Sequence, residues 1–163
     1  MNIKIREYDS EDISDAIKIW NEVVADGIAF PQEECLNRKT GDEFFKMQTY
    51  TGIAYDSDTH SIVGLYILHP NNVGRCAHIC NASYAVRKDF RGQHIGEKLV
   101  IDCKKQARKH NFRILQFNAV VATNHSALHL YEKLGFKQLG VIPKGFRAYD
   151  GHYEDIIPHY CEL

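Results

Sequence analysis

The run Arg91-Gly92-Gln93-His94-Ile95-Gly96 puts a cation and two glycines at the mouth of a helical pattern. The first four N–H groups of a helix have no intrahelical acceptor, and the helix dipole gives that end roughly half a positive charge. A phosphate suits such a place. Gly92 and Gly96 would let the backbone approach an anion closely, and Arg91 adds a charged donor. A ligand-free glycine turn is the alternative. The loop is no P-loop, since G-x-x-x-x-G-K-[ST] is absent, and it does not complete the G-x-G-x-x-G dinucleotide pattern.

Other residue types invite other chemistry. The chain has 9 histidines and 5 cysteines. His125 and His129 have the i, i+4 spacing of a helical chelate, but the pair lacks the glutamate of H-E-x-x-H and an evident third ligand. Cys76 and Cys80, if on one strand, would lie about 13 Å apart at roughly 3.3 Å per residue, too far to share a zinc ion. No metal is expected. Cys103 falls on the apolar face of a helix and reads as an inert core thiol.

The elements that must position the loop follow from periodicity. Asn2–Tyr8 alternates as a strand. Ile13, Ala16, Ile17, Trp20 and Val24 then repeat at helical spacing behind a Ser10 cap. A short helix is expected in GDEFFKMQ, with strands near 52–55, 61–69 and 77–86. Ile95, Leu99, Cys103 and Ala107 form one face of an amphipathic helix over 95–110. A strand over 112–121 leads to a helix capped by Asn124 and stopped at Gly135. Strands over 136–142 and 152–160 can then pair across Asp150-Gly151, with Pro158 demanding a bulge or an edge. The fold class is α/β (α+β), a mixed, mostly antiparallel sheet with flanking helices. The 77–121 unit is a parallel crossover whose ligand site lies beyond the strand ends.

The 163 residues, with no linker or repeat, suit one domain over 1–163. Charge is nearly balanced at 20 Lys+Arg against 21 Asp+Glu, so no nucleic-acid partner is expected. An odd, scattered set of cysteines and the lack of an apolar run suited to a leader or a membrane span point to a cytoplasmic protein with no membrane partner.

VRKDFRGQHIGEKLV resembles the acetyl-CoA pyrophosphate loop of the GNAT superfamily of N-acetyltransferases, [RQ]-x-x-G-x-[GA] after a strand and opening a helix. Arg91 and Gly96 match its ends, and His94 replaces its middle glycine. NAVVATNHSALHLYEKLGF resembles the family's second signature through Asn124, Ala127, Leu130, Tyr131, Gly135 and Phe136. The likeness covers about Ser61 to Phe136. It implies a GNAT-type fold and an enzyme that moves the acetyl group of acetyl-CoA to an amine in a ternary complex, with no metal.

In that resemblance Tyr131 is the donor to the leaving thiolate, and Asn124, seven residues earlier on the same helix side, contacts the pantetheine or phosphate arm. The cofactor is held by Arg91, Gly92, Gln93, His94, Ile95 and Gly96 and by backbone groups of the strand residues Tyr84, Ala85 and Val86; Arg87 and Lys88 are either further phosphate partners or an ordinary solvated basic turn. An alkylammonium must lose a proton before it attacks, yet Asn81 stands where many relatives, including those resembling phosphinothricin acetyltransferase, carry glutamate. His78, Glu33, Glu34, Tyr153 and Asp155 are the other acid–base or acceptor-binding candidates. DGIAFP with Glu33 and Glu34 is similar to small-molecule acetyltransferases and favours a small or amino-acid-like amine. A protein N-terminus or lysine is an alternative acceptor, a non-catalytic acetyl-CoA-binding module an alternative class, and a homodimer is left open.

Overall fold

The computed structural model describes residues 1–163. Strand β1 (Ile3–Glu7) leads through a 3-10 turn into helix α1 (Ile13–Asp26), followed by α2 (Arg38–Lys46), β2 (Tyr50–Asp56), β3 (Ile62–Pro70) and β4 (Ile79–Val86). Helix α3 (Ile95–Lys109), β5 (Ile114–Val121), α4 (His125–Lys133), β6 (Lys137–Gln138), β7 (Ile142–Arg147) and β8 (Tyr153–Glu162) complete the chain. The sheet runs β1-β2-β3-β4-β5-β8-β6, with β7 also on β8.

Entry into α1 differs from the Ser10 cap. Asp9 accepts from the Glu11 N–H at 2.9 Å, and Asp12 accepts from the Asp9 N–H at 2.9 Å. This capping box closes a 3-10 turn over Ser10–Asp12, so the helix proper starts at Ile13. Arg6 of β1 grips Asp12 through two N–H···O bonds of 2.7 Å. Beyond the turn, Ile13, Ala16, Ile19, Trp20, Val23 and Val24 are buried against Leu65, Ile67 and Ala85 on one sheet face. The opposite face packs Tyr66, Leu68, Cys80 and Ala82 under Leu99, Val100, Cys103 and Ala107 of α3. Each such fully buried Leu, Ile or Val contributes roughly 1.5–3 kcal/mol from removal of apolar surface.

The C-terminal strands depart from expectation in one respect. The strand drawn over 136–142 is split, two residues of β6 and then β7, because the backbone breaks between them at Gly140 (φ 128). The hairpin across Asp150-Gly151 is therefore β7–β8, while β6 pairs with β8 at Lys137↔Tyr160 and Gln138↔His159. Pro158 sits inside β8, and the irregularity it demands is on its partner: the β5–β8 register jumps between Phe117↔His159 and Val120↔Ile157. A strand residue without an N–H cannot complete the ladder, so Asn118 and Ala119 bulge out of it.

Pairing between β4 and β5 is parallel and brief, confined to Ile79↔Ile114 and Cys80↔Leu115. Past these residues β4 pairs only with β3 and β5 only with β8. The sheet forks there, and the fork holds the site.

Candidate active site

A cavity of about 220 Å³ fills the fork. Its walls include Asn81, Ser83 and Tyr84 of β4, the bulged Asn118 of β5, and Asn124 and Tyr131 of α4, with Ala29, Phe30 and Pro31 closing one side. Hydrogen-bond alternation fixes which β4 backbone groups face it. The Ile79 carbonyl accepts from Asn71 at 2.8 Å and the Arg87 N–H donates to Val63 at 2.9 Å, so odd-numbered residues bond toward β3. Even-numbered ones therefore turn toward β5, as the His78 carbonyl does in accepting from Arg113. Tyr84 and Val86 present backbone groups to the fork. Ala85 does not, because its peptide groups belong to the β3 ladder opposite Leu65 and its side chain is 1% exposed under α1. The Ala82 N–H is taken by the Asn81 side-chain oxygen at 2.8 Å.

A second cavity, about 600 Å³, opens between the β4–α3 loop and α4. Arg91, Gly92, His94, Gly96, His129 and Lys133 line it. None of the consecutive N–H groups from Gly92 to Glu97 finds an acceptor in the protein; the first bonded one beyond Arg91 is Lys98, to the His94 carbonyl at 3.3 Å. This row of free donors at a helix start is an anion seat. Gly92 takes φ 78, and a Cβ there would meet nothing within 4 Å, so its backbone conformation and not crowding is what calls for glycine.

His94 caps α3 in the left-handed region (φ 59, ψ 16) without a side-chain cap bond, its imidazole 80% exposed and 3.5 Å from Glu97. Ile95 is buried and anchors the helix start in the core, while Gln93 is exposed and donates to the Asp89 carbonyl at 3.5 Å.

The loop's cations lie beside carboxylates. Asp26, at the end of α1, meets Lys88 at 2.7 Å and Arg91 at 3.3 Å. Burial works against its charge, yet these two partners hold it below the usual carboxylate range. Arg87 pairs with Asp89 at 2.7 Å and lies over the Phe90 ring, as a basic turn at the surface would.

Helix α4 brings two residues to the fork. Asn124 caps it, its side-chain oxygen accepting from the Ala127 N–H at 3.2 Å. Two turns on, Tyr131 packs its ring against Phe117, Phe136 and His159. The Tyr131 hydroxyl has no protein partner and is not sealed from the cavity, since the one buried unpartnered side-chain atom is the Tyr84 hydroxyl. Burial raises the Tyr131 pKa, so the phenol keeps its proton and is available as a donor.

The acid–base candidates are scattered. Of Asn81, His78, Glu33, Glu34, Tyr153 and Asp155, only Asn81 lines the fork. His78 is exposed ahead of β4 and Tyr153 is 60% exposed on β8. Glu33 is paired with Arg147, Glu34 is exposed, and Asp155 accepts from the Lys144 N–H at 2.9 Å. Ser126 and Lys133 escaped the sequence reading, and His129 entered it only as a possible metal ligand. Ser126, His129 and Lys133 join Leu130 along the second cavity at i, i+3, i+4, i+7 spacing, a helical stripe that does stand in the sequence.

The Acetyltransferase (GNAT) family model matches residues 18–136, and the chain belongs to that family. It is 28% identical over 176 residues to N-acetyltransferase aca1 of Schizosaccharomyces pombe, covering 98% of this chain and 83% of the relative. A GCN5-related N-acetyltransferase from Kribbella flavida superposes with a TM-score of 0.90 at 27% identity, over 99% of this chain and 98% of the other. The phosphinothricin acetyltransferase from Sinorhizobium meliloti, in complex with AcCoA, shares the fold at TM-score 0.90 and 18% identity, over 100% and 89% of the two chains.

Proposed function

We propose that the protein transfers an acetyl group from acetyl-CoA to the primary amine of a small or amino-acid-like acceptor, by direct attack while both are bound. The observation that carries this is a pair of cavities, one in the strand fork and one between the β4–α3 loop and α4. The second is lined by Gly92 and by His94 to Glu97, whose N–H groups find no acceptor in the protein, and the first carries the unpartnered Tyr131 hydroxyl. The donor row, with Arg91, suits a pyrophosphate, and the fork-facing backbone groups of Tyr84 and Val86 suit the amides of a pantetheine arm added alongside β4.

Bound acetyl-CoA supplies a thioester whose carbonyl carbon takes the amine and whose sulfur departs. The chain's own part is placement and proton handling. Asn124 and Tyr84 orient the arm. Tyr131, kept protonated by burial, donates to the departing sulfur. Phe30 and Pro31, with Asn81 and Asn118 opposite, enclose an acceptor of small size, which supports a small molecule over a folded protein.

Thiol release from acetyl-CoA across a panel of small amines, amino acids and N-terminal peptides tests this. Release with small amines is expected. Release with peptides alone would reassign the acceptor, and tight acetyl-CoA binding without release to any amine would favour a binding module, a reading that the absence of any carboxylate or imidazole from the fork lining supports.

A further inference from the structure

The fork cavity poses a proton problem. Its titratable lining residues are Tyr84 and Tyr131, both phenols, and an ammonium acceptor needs somewhere to put a proton. The register of the sheet supplies a group one strand away. His69 of β3 lies directly opposite Asn81 of β4. Side chains of directly opposed residues share a face, with Cβ atoms about 4.5–5.5 Å apart. That face is the one on which Leu65 and Ile67 pack toward α1, and it continues into the side of the cavity closed by Ala29, Phe30 and Pro31.

The imidazole is set up to accept. It is half-buried, and its one polar contact runs from Nδ1 to the Pro70 carbonyl at 3.0 Å. A carbonyl only accepts, so Nδ1 carries a proton, and in the tautomer that this contact selects Nε2 is the accepting nitrogen. Nothing in the protein donates to Nε2, and no ion pair involves His69. Its register partner Asn81 belongs to a chain of side-chain amides: Asn81 donates to Asn71 at 3.5 Å, and Asn118 donates to Asn71 at 2.7 Å. Side-chain amides of this kind can hold a bridging water.

We infer that His69 is the proton acceptor for the acylation step, reached from the fork cavity through a water held by the Asn81–Asn71–Asn118 amides. This rests on the acetyl-transfer reading above. In the step, one proton leaves the acceptor ammonium through that water to His69 Nε2, giving imidazolium and free amine. The amine lone pair forms the N–C bond, the C–S bond breaks, and the second amine proton ends on the departing sulfur by way of Tyr131. Imidazolium then returns its proton to solvent.

The test uses the full chain, steady-state thiol release with the best amine of the panel, and three variants. His69→Gln should lower kcat/KM for the amine about 100-fold, the low end of general-base contributions, with the KM for acetyl-CoA within twofold. Adding Asn81→Glu to His69→Gln puts a carboxylate in the cavity wall and should recover at least about tenfold. Asn81→Glu alone, with the imidazole intact, should not gain comparably. A His69→Gln variant as active as the unaltered protein, or a loss that the added carboxylate fails to recover in a double variant of normal thermal stability, overturns the assignment. Absence of amine-dependent release from the unaltered protein overturns the transfer reading itself, and this assignment with it.

Discussion

The two sides of the fork are built on different principles. The β4–α3 side makes its seat from peptide N–H groups, the stretch Gly92–Glu97 at a helix start, flanked by the side chains of Arg91, Ser126, His129 and Lys133. The opposite side is assembled from segments far apart in the chain. The loop after α1 is stitched to the last hairpin by the Tyr149 N–H donating to the Gly27 carbonyl at 3.0 Å and by the Arg147–Glu33 pair, and to α1 by Asn21 holding both backbone groups of Leu36 at 2.8 Å. A backbone seat tolerates side-chain change and binds a common chemical group. A side-chain rim can vary and so can specify the acceptor.

If that division is real, perturbations should separate the two sides. The largest effect is expected where they meet: Tyr131→Phe should lower kcat about 100-fold with the KM for acetyl-CoA changed less than twofold, since its hydroxyl has no structural partner to lose. An unchanged kcat would remove Tyr131 from the step. Gly27→Ala comes next. An added Cβ would sit 2.5 Å from Tyr149 Cβ, at a residue with φ 61, so the seam must open. Steady-state kinetics should show the acceptor KM rising roughly tenfold with the acetyl-CoA KM little affected, and melting should show a loss of about 2 kcal/mol. Equal damage to both KM values would break the comparison.

A smaller effect belongs to the foundation of the acceptor side, where Asp12 closes the capping box and grips Arg6. Burial opposes its charge, but the Arg6 and Asp9 hydrogen bonds hold its pKa below the usual value. A carboxylate lowered in the folded state stabilises above its unfolded pKa, near 3.9, and that contribution fades as pH falls through the folded value. Asp12→Asn should therefore cost about 1–2 kcal/mol in urea unfolding at pH 7, with the gap narrowing toward pH 3. A gap constant with pH would mean that charge is not the cause. The smallest effect is His94→Gly. Relief of a left-handed non-glycine residue is worth roughly 1 kcal/mol, partly offset by glycine's unfolded-state entropy. Acetyl-CoA affinity measured by calorimetry should stay within twofold or tighten; a tenfold loss would mean that the imidazole itself touches the cofactor.

The same division decided what could be read in the sequence. Arg91-Gly92 ahead of an amphipathic helix, and Asn124 seven residues before Tyr131, are local patterns, and local patterns survive without knowledge of the fold. The order of elements from β1 to α4 likewise follows from periodicity within each segment. The rest depends on partners distant in sequence. Pro158 announces an irregularity, but that it pushes Asn118 into the cavity follows only from the β5–β8 register. His69 reads as one more histidine near a strand end until β3 is laid against β4. Glu33 and Glu34 looked like acceptor ligands because carboxylates suit ammonium groups, whereas Glu33 is held by Arg147 and neither lines the fork. The split between β6 and β7 escaped because the apolar run Leu139–Ile142 imitates a continuous strand while being exposed.

The most direct measurement of the central claim is an amide NMR titration of the labelled protein with acetyl-CoA. The division predicts that the largest shifts fall on the N–H groups of Gly92 to Glu97 and on Tyr84, with Gly27 and Tyr149 on the opposite rim little moved. Shifts concentrated on the rim, with the Gly92–Glu97 amides unperturbed at saturation, would contradict it.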